Sequence, residues 1–132
     1  AMQGLSKGDP KMTKIRNQIE DAWLTKPEWR HSDEERFIDT RARAVKFLQY
    51  AESELAKKYQ HVLVVSHARY LKVLIAVMLH GSEVSAQIAR DIFHRLSLSN
   101  AGITVVELSS SSWNIITIND HAHLGDYHRQ PH

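Results

Sequence analysis

The sequence predicts a single α/β domain, and three observations carry that prediction. The first is a continuous run rich in β-branched residues, His61-Val62-Leu63-Val64-Val65-Ser66, of the kind buried on both faces of a parallel sheet. The second is a helical pattern that begins almost directly after this run. Tyr70, Val73, Leu74, Val77 and Met78 fall at helical spacing, and Gly81 closes the pattern. The third is a pair of strand-like runs, Ile103–Leu108 and Trp113–Asn119, joined by a polar turn of serines Ser109 to Ser112. Two such runs and a short turn make an antiparallel hairpin.

The remaining elements can be taken in chain order. Met2 to Pro10 carry two Gly and a Pro with few apolar side chains, and read as an irregular lead-in. Met12, Ile15, Ile19, Ala22 and Trp23 predict a helix over Lys11–Trp23, which Pro27 ends. Ser32 with Glu35 three residues on is a capping box: the hydroxyl caps one backbone N–H and the carboxylate reaches back to another. The helix it opens carries Phe37, Arg41, Ala44, Leu48, Ala51 and Leu55 on one stripe and should run to about Lys58. After the strand near 62–66 and its helix, a further helix starts near Ser82, with Val84, Ile88, Ile92 and Leu96 in register. The tail from His121 to His132 is polar and should fray.

The expected architecture is thus about four helices and a small mixed sheet, with strands near 62–66, 103–108 and 113–119. It is an incomplete α/β arrangement. Only the run at 62–66 is of the buried parallel type, and one of its edges would stay apolar and unpaired, which natural sheets avoid. Something outside this chain, or a second copy of it, is the expected cover. A homodimer would form through this exposed sheet edge or through the N-terminal helix.

Composition excludes several classes of function. The 132 residues suit one domain, and 42% hydrophobic with 24% charged residues is the balance of a soluble globular protein, not of a disordered one. No cysteine means no thiolate nucleophile, no Cys-based zinc site and no disulfide. The net charge of +2, from 17 basic and 15 acidic side chains, is too small to argue for nucleic acid. No run approaches the roughly 20 apolar residues of a membrane span, and no signal-peptide pattern opens the chain, so a cytoplasmic protein is expected.

The stretch with most chemistry is His61 to Gly81. A buried strand that ends at Ser66-His67 and turns at once into a helix puts His67 at the carboxyl end of the sheet, where open α/β sheets bind ligands. The unpaired N–H groups and positive dipole end of the helix point to the same place, which suits phosphate. His67 and the amides of Ala68 and Arg69 therefore read as half of a phosphate site. A structural histidine that caps the helix is the competing reading.

Leu63-Val64-Val65-Ser66-His67-Ala68 resembles the second signature of the histidine phosphatase, or phosphoglycerate mutase-like, superfamily: a hydrophobic strand ending in Ser/Thr-His-Gly before an apolar helix. Three more stretches agree, in the right order. Glu35-Arg36-Phe37-Ile38-Asp39-Thr40-Arg41-Ala42-Arg43 resembles the family's Gly-Glu-Ser-Phe-x-Asp-x-x-x-Arg helix start. Ser99-Asn100-Ala101-Gly102-Ile103-Thr104-Val105 resembles its Asn-x-x-Ile-Thr-Val strand, and Trp113 through Asn119 to His123-Leu124 its closing Trp-x-x-x-x-x-Asn-x-x-x-His-Leu. Each motif is weak alone, whereas four in order over Ser32 to Leu124 are specific. The resemblance implies a partial three-layer α/β/α fold over 1–132 and a phosphorylated small molecule as ligand, with no cofactor or metal. It assigns His67 as the second family histidine, which contacts the phosphoryl group and stabilises charge during transfer.

The departures from the family matter as much. Its nucleophilic histidine sits in Arg-His-Gly at the end of an N-terminal strand, and this sequence contains no Arg-His-Gly. Arg30-His31 is the one Arg-His pair, and it has no hydrophobic strand before it and Ser32 after it. The resemblance therefore covers the C-terminal half of the family's domain, and it leaves enzymatic competence open. The expected reading is a phosphatase-like protein inactive by itself. The alternatives are a phosphomonoester hydrolase completed by another chain, and a non-enzymatic oligomeric module. Ala68 stands where the family has Gly, which costs little unless that backbone needs a positive φ. Arg69 lines the pocket mouth or is simply a surface arginine. Glu34 and Glu35 are the nearest carboxylates, but the capping box already accounts for Glu35, and neither is assigned as a proton donor. His121 and His123, beside Asp120, have spacing that would let two imidazoles meet one metal, but the closing motif accounts for His123. Trp23 and Trp29, flanking Pro27, pack on the core or offer a partner surface. Arg41, Arg43 and Lys46 read as a solvated mixed-charge face.

Overall fold

The computed structural model describes residues 36–124 together with Lys14, Gln18, Ala22 and Trp23. Those four residues are all helical, within the stretch predicted as the first helix. The predicted Ser32–Glu35 capping box, Arg30-His31, Glu34 and Trp29 lie outside the described residues.

Helix α1 runs over Phe37–Tyr50, passes through a π-helical turn at Ala51–Leu55 and finishes as Ala56–Lys58, the predicted end. Its start is a correction. Arg36 is extended (φ −74°, ψ 158°), so a helix opened at Ser32 does not run through it. The acceptor that organises the start is Asp39. Its carboxylate receives the Arg36 backbone N–H at 3.3 Å and the Arg36 guanidinium at 2.9 and 3.1 Å. Of the predicted stripe, Phe37, Ala44, Leu48 and Ala51 are buried, joined by Thr40, while Arg41 and Leu55 are half-buried.

The run at 62–66 is the second correction. It forms no ladder, and Val62, Leu63, Val64 and Val65 are 51, 86, 43 and 87% exposed. A run of β-branched residues favours an extended backbone, but a strand exists only where a neighbour receives its hydrogen bonds. No such neighbour lies among the described residues. The sheet is accordingly two-stranded and antiparallel rather than mixed.

Helix α2 spans Ala68–His80 and is closed by Gly81 at φ +92°, a conformation that costs other residues. Helix α3 spans Ala86–Arg95, later than the predicted start near Ser82, because Ser85 is the cap: its Oγ accepts from the Ile88 N–H at 3.2 Å. Its buried face is Ala86, Ala89 and Phe93, while Ile88, placed on the predicted stripe, is exposed.

Strands β1 (Ile103–Ser109) and β2 (Ser112–Asp120) form the predicted hairpin, of 7 and 9 residues. Ser110 and Ser111, at φ 50° and 62°, make the two-residue turn of type I′ whose twist matches a hairpin. The two extra residues of β2 are absorbed by irregularities between Ile103 and Val106.

The core belongs to the helices. α2 packs on α1, α3 and β2. Trp23 is 1% exposed and stands edge-on to Phe37 (5.4 Å between centroids) and tilted against Phe93 (5.8 Å). Of its two predicted roles, Trp23 takes the core one. Lys72, buried on α2, donates from Nζ to the Phe93 carbonyl at 3.0 Å and sits over the Phe93 ring, tying α2 to α3. No helix among the described residues is long and apolar enough to cross a membrane.

Candidate functional site

The site is built at the start of α2. His67 is the N-cap residue, extended at φ −115°, ψ 154°, and its carbonyl accepts the first helical bond from Leu71 N–H at 2.9 Å. Its imidazole is exposed and makes no capping bond to the helix amides. The reading of His67 as a side-chain cap is thereby removed. A helix leaves its first N–H groups without intrahelical partners, and those of α2 follow directly on His67. Ala68 is already helical, so the family's Gly is not needed here for a positive φ.

Two arginines are anchored near this end. The Arg69 guanidinium lies 5.3 Å from the centroid of the Trp23 ring, and that of Arg43, reaching across from α1, lies 4.6 Å from that of Tyr70. Each of these cations is seated on an aromatic face. The predicted solvated face of α1 is corrected to this extent: Arg43 is seated on Tyr70, and half-buried Arg41 donates to the Val84 carbonyl at 2.9 Å. Lys46 remains exposed.

The closing motif has a different task. Asn119, at φ 53°, accepts the Ser99 N–H on Oδ1 at 2.8 Å and donates from Nδ2 to Ser99 Oγ at 3.3 Å. His123 Nε2 is hydrogen-bonded to the Ala101 carbonyl at 3.0 Å. Both residues fasten the loop Ser99–Gly102 to the end of β2. Gly102 is required there, because a Cβ would overlap Asn119 Oδ1. His121 Nδ1 lies 2.7 Å from the Asn119 carbonyl, and Asp120 Oδ1 accepts from Ala122 N–H at 3.1 Å. The two histidines thus serve separate carbonyls, and no three His, Asp or Glu among the described residues come together as metal ligands.

The structure therefore brings His67, Ala68 and Arg69 to one helix end and sets His121 and His123 to a structural purpose. Sequence reasoning read Arg43 as solvated and missed Lys72 and the Asn119–Gly102 contact. The available signal for the last was an Asn and a Gly, the residues that best tolerate unusual backbone or close approach, one before the first strand run and one closing the second.

An exposed histidine opens an apolar helix in an α/β domain made of helices and one antiparallel hairpin. The model of the histidine phosphatase superfamily (branch 1) matches residues 4–121, and the chain belongs to that superfamily. No curated protein and no solved structure matches it.

Proposed function

We propose that this chain carries the second-histidine half of a phosphomonoester site of the histidine phosphatase type and does not turn over phosphomonoesters by itself. One observation supports it most: the His67 imidazole leaves the helix amides uncapped, so the ring, the N–H groups of Ala68 and Arg69, and the dipole all remain for an anion. The imidazole donates to a phosphoryl oxygen, and the backbone amides receive the remaining charge without reorganising. What the half-site lacks is a nucleophile. The sequence has no Arg-His-Gly, and a covalent role is not replaced by positioning alone.

Two measurements test the reading. Purified chain should show no turnover of p-nitrophenyl phosphate above a blank. Turnover abolished by His31→Ala or His67→Ala would overturn this and restore a competent enzyme. Inorganic phosphate should shift the amide resonances of Ala68 and Arg69 with a Kd on the order of 1 mM, a free energy near 4 kcal/mol. His67→Ala should weaken that binding. Shifts confined to other parts of the chain would mean that no half-site is preformed.

A further inference from the structure

Lys72, on the helix that His67 opens, is only 7% exposed. An ammonium is costly to take out of water, and a chain that buries one holds it against compensating partners. One partner here is the end of a helix. Lys72 Nζ donates to the Phe93 carbonyl at 3.0 Å and lies 5.5 Å from the centroid of the Phe93 ring. Phe93 stands in the last turn of α3, which ends at Arg95. There a helix runs out of N–H donors for its carbonyls and carries about half a negative charge. The connection from Gly81 to Ser85 turns α3 back along α2, and Trp23 marks where the two ends meet. Its ring lies 5.8 Å from that of Phe93 and 5.3 Å from the guanidinium of Arg69, the second residue of α2. Ala68 and Lys72 stand one turn apart on one face, about 6 Å along the axis, and helical side chains lean toward the N-terminus. The carbonyl end of α3 and the amide end of α2 are therefore neighbours.

We infer that Lys72 is a positioning residue for the anion half-site: its ammonium neutralises the carbonyl end of α3, which otherwise repels an anion held at the start of α2. The magnitudes decide this. The two helix ends carry about half a charge each, of opposite sign, so the end of α3 offsets much of what α2 offers a ligand. A full positive charge placed on the α3 end leaves the α2 amides unopposed. Burial strengthens the effect, since a charge held in a low-dielectric interior is screened less than one in water. Lys72 touches no ligand in this role; it acts through the end of α3. The role rests on the half-site proposed above.

Three variants of the full chain and one measurement on the unaltered chain test it. Lys72→Met keeps a long unbranched side chain without charge, and Lys72→Gln also keeps an N–H donor for the Phe93 carbonyl. With folding checked by amide spectra, both should bind inorganic phosphate about fivefold more weakly than the unaltered chain, the scale of one partly screened charge. Lys72→Arg keeps the cation and should stay within about twofold. Full affinity in Lys72→Gln, with weak binding in Lys72→Met, would reduce Lys72 to a structural tie and overturn the inference. Full affinity in both, or equal loss in Lys72→Arg, would overturn it as well. In the unaltered chain, the Lys72 Nζ resonance should move in step with the amides of Ala68 and Arg69 as phosphate is added, a readout that needs no variant to fold. A still Nζ signal beside moving amides would strike the role of Lys72 and leave the half-site standing. Amides that do not move would remove the half-site itself, and the role with it.

Discussion

In the helices of this chain, interior backbone groups find their partners inside the element, and each helix needs only a stripe of side chains to bury. The extended segments depend on neighbours for the same groups. The outcome differs accordingly. Phe37, Val73 and Trp23 are fully buried against one another's elements, whereas no residue of β1 or β2 is buried and Ile103, Val105, Ile116 and Ile118 stay 42 to 57% exposed. The helical body is finished as it stands. The hairpin leaves several large apolar side chains exposed, and the run at 62–66 has the composition of a strand but no ladder among the described residues.

Three substitutions would break or sharpen this contrast. The largest effect belongs to Phe37→Ala, which empties the site facing Trp23 and should cost about 3–5 kcal/mol in urea unfolding. A loss below about 1 kcal/mol would mean that the helical body is not the stable part. Gly102→Ala comes next. Its Cβ must displace Asn119 Oδ1 from the Ser99 N–H, so a cost of about 1–3 kcal/mol is expected, with changed resonances at Ser99 and Asn119. Full stability would show that the clamp does not hold the hairpin. Smallest is Ile116→Thr, on the open face of β2, which should stay within about 0.5 kcal/mol while keeping β propensity. A loss above about 1.5 kcal/mol would reveal that this face is covered in solution.

The same division governs how far the sequence could be read. The body of α1 and its end at Lys58 were legible because Phe37, Ala44, Leu48 and Ala51 repeat at the helical period, and α2 because Gly81 marks its close. The starts of α1 and α3 were not. Several Ser or Asp residues near each boundary are chemically able to cap, and the pattern alone does not single out Asp39 as the acceptor behind Arg36 or Ser85 as the cap of α3. His67 was found because a strand-like run, a histidine and an apolar helix stand directly one after another in the chain. The run itself was misjudged, since side-chain composition reports a preference for extension and says nothing of where the hydrogen-bonding neighbour is. Asn119, His123 and Gly102 were visible as a family pattern, but their shared task spans 20 residues of chain and appears only when the hairpin is closed.

The turn at Ser110-Ser111 has a kinetic consequence. Two L-residues in the left-handed region cost about 1–2 kcal/mol each, where Asn-Gly would cost less. Closing the hairpin at its far end, through Ser99 and Asn119, encloses 19 residues instead of two, and the loop entropy of that difference costs about 2 kcal/mol. The two penalties are of one size. The tip therefore gives the hairpin no head start, and its assembly proceeds as readily from the open end, once the loop Ser99–Gly102 reaches Asn119.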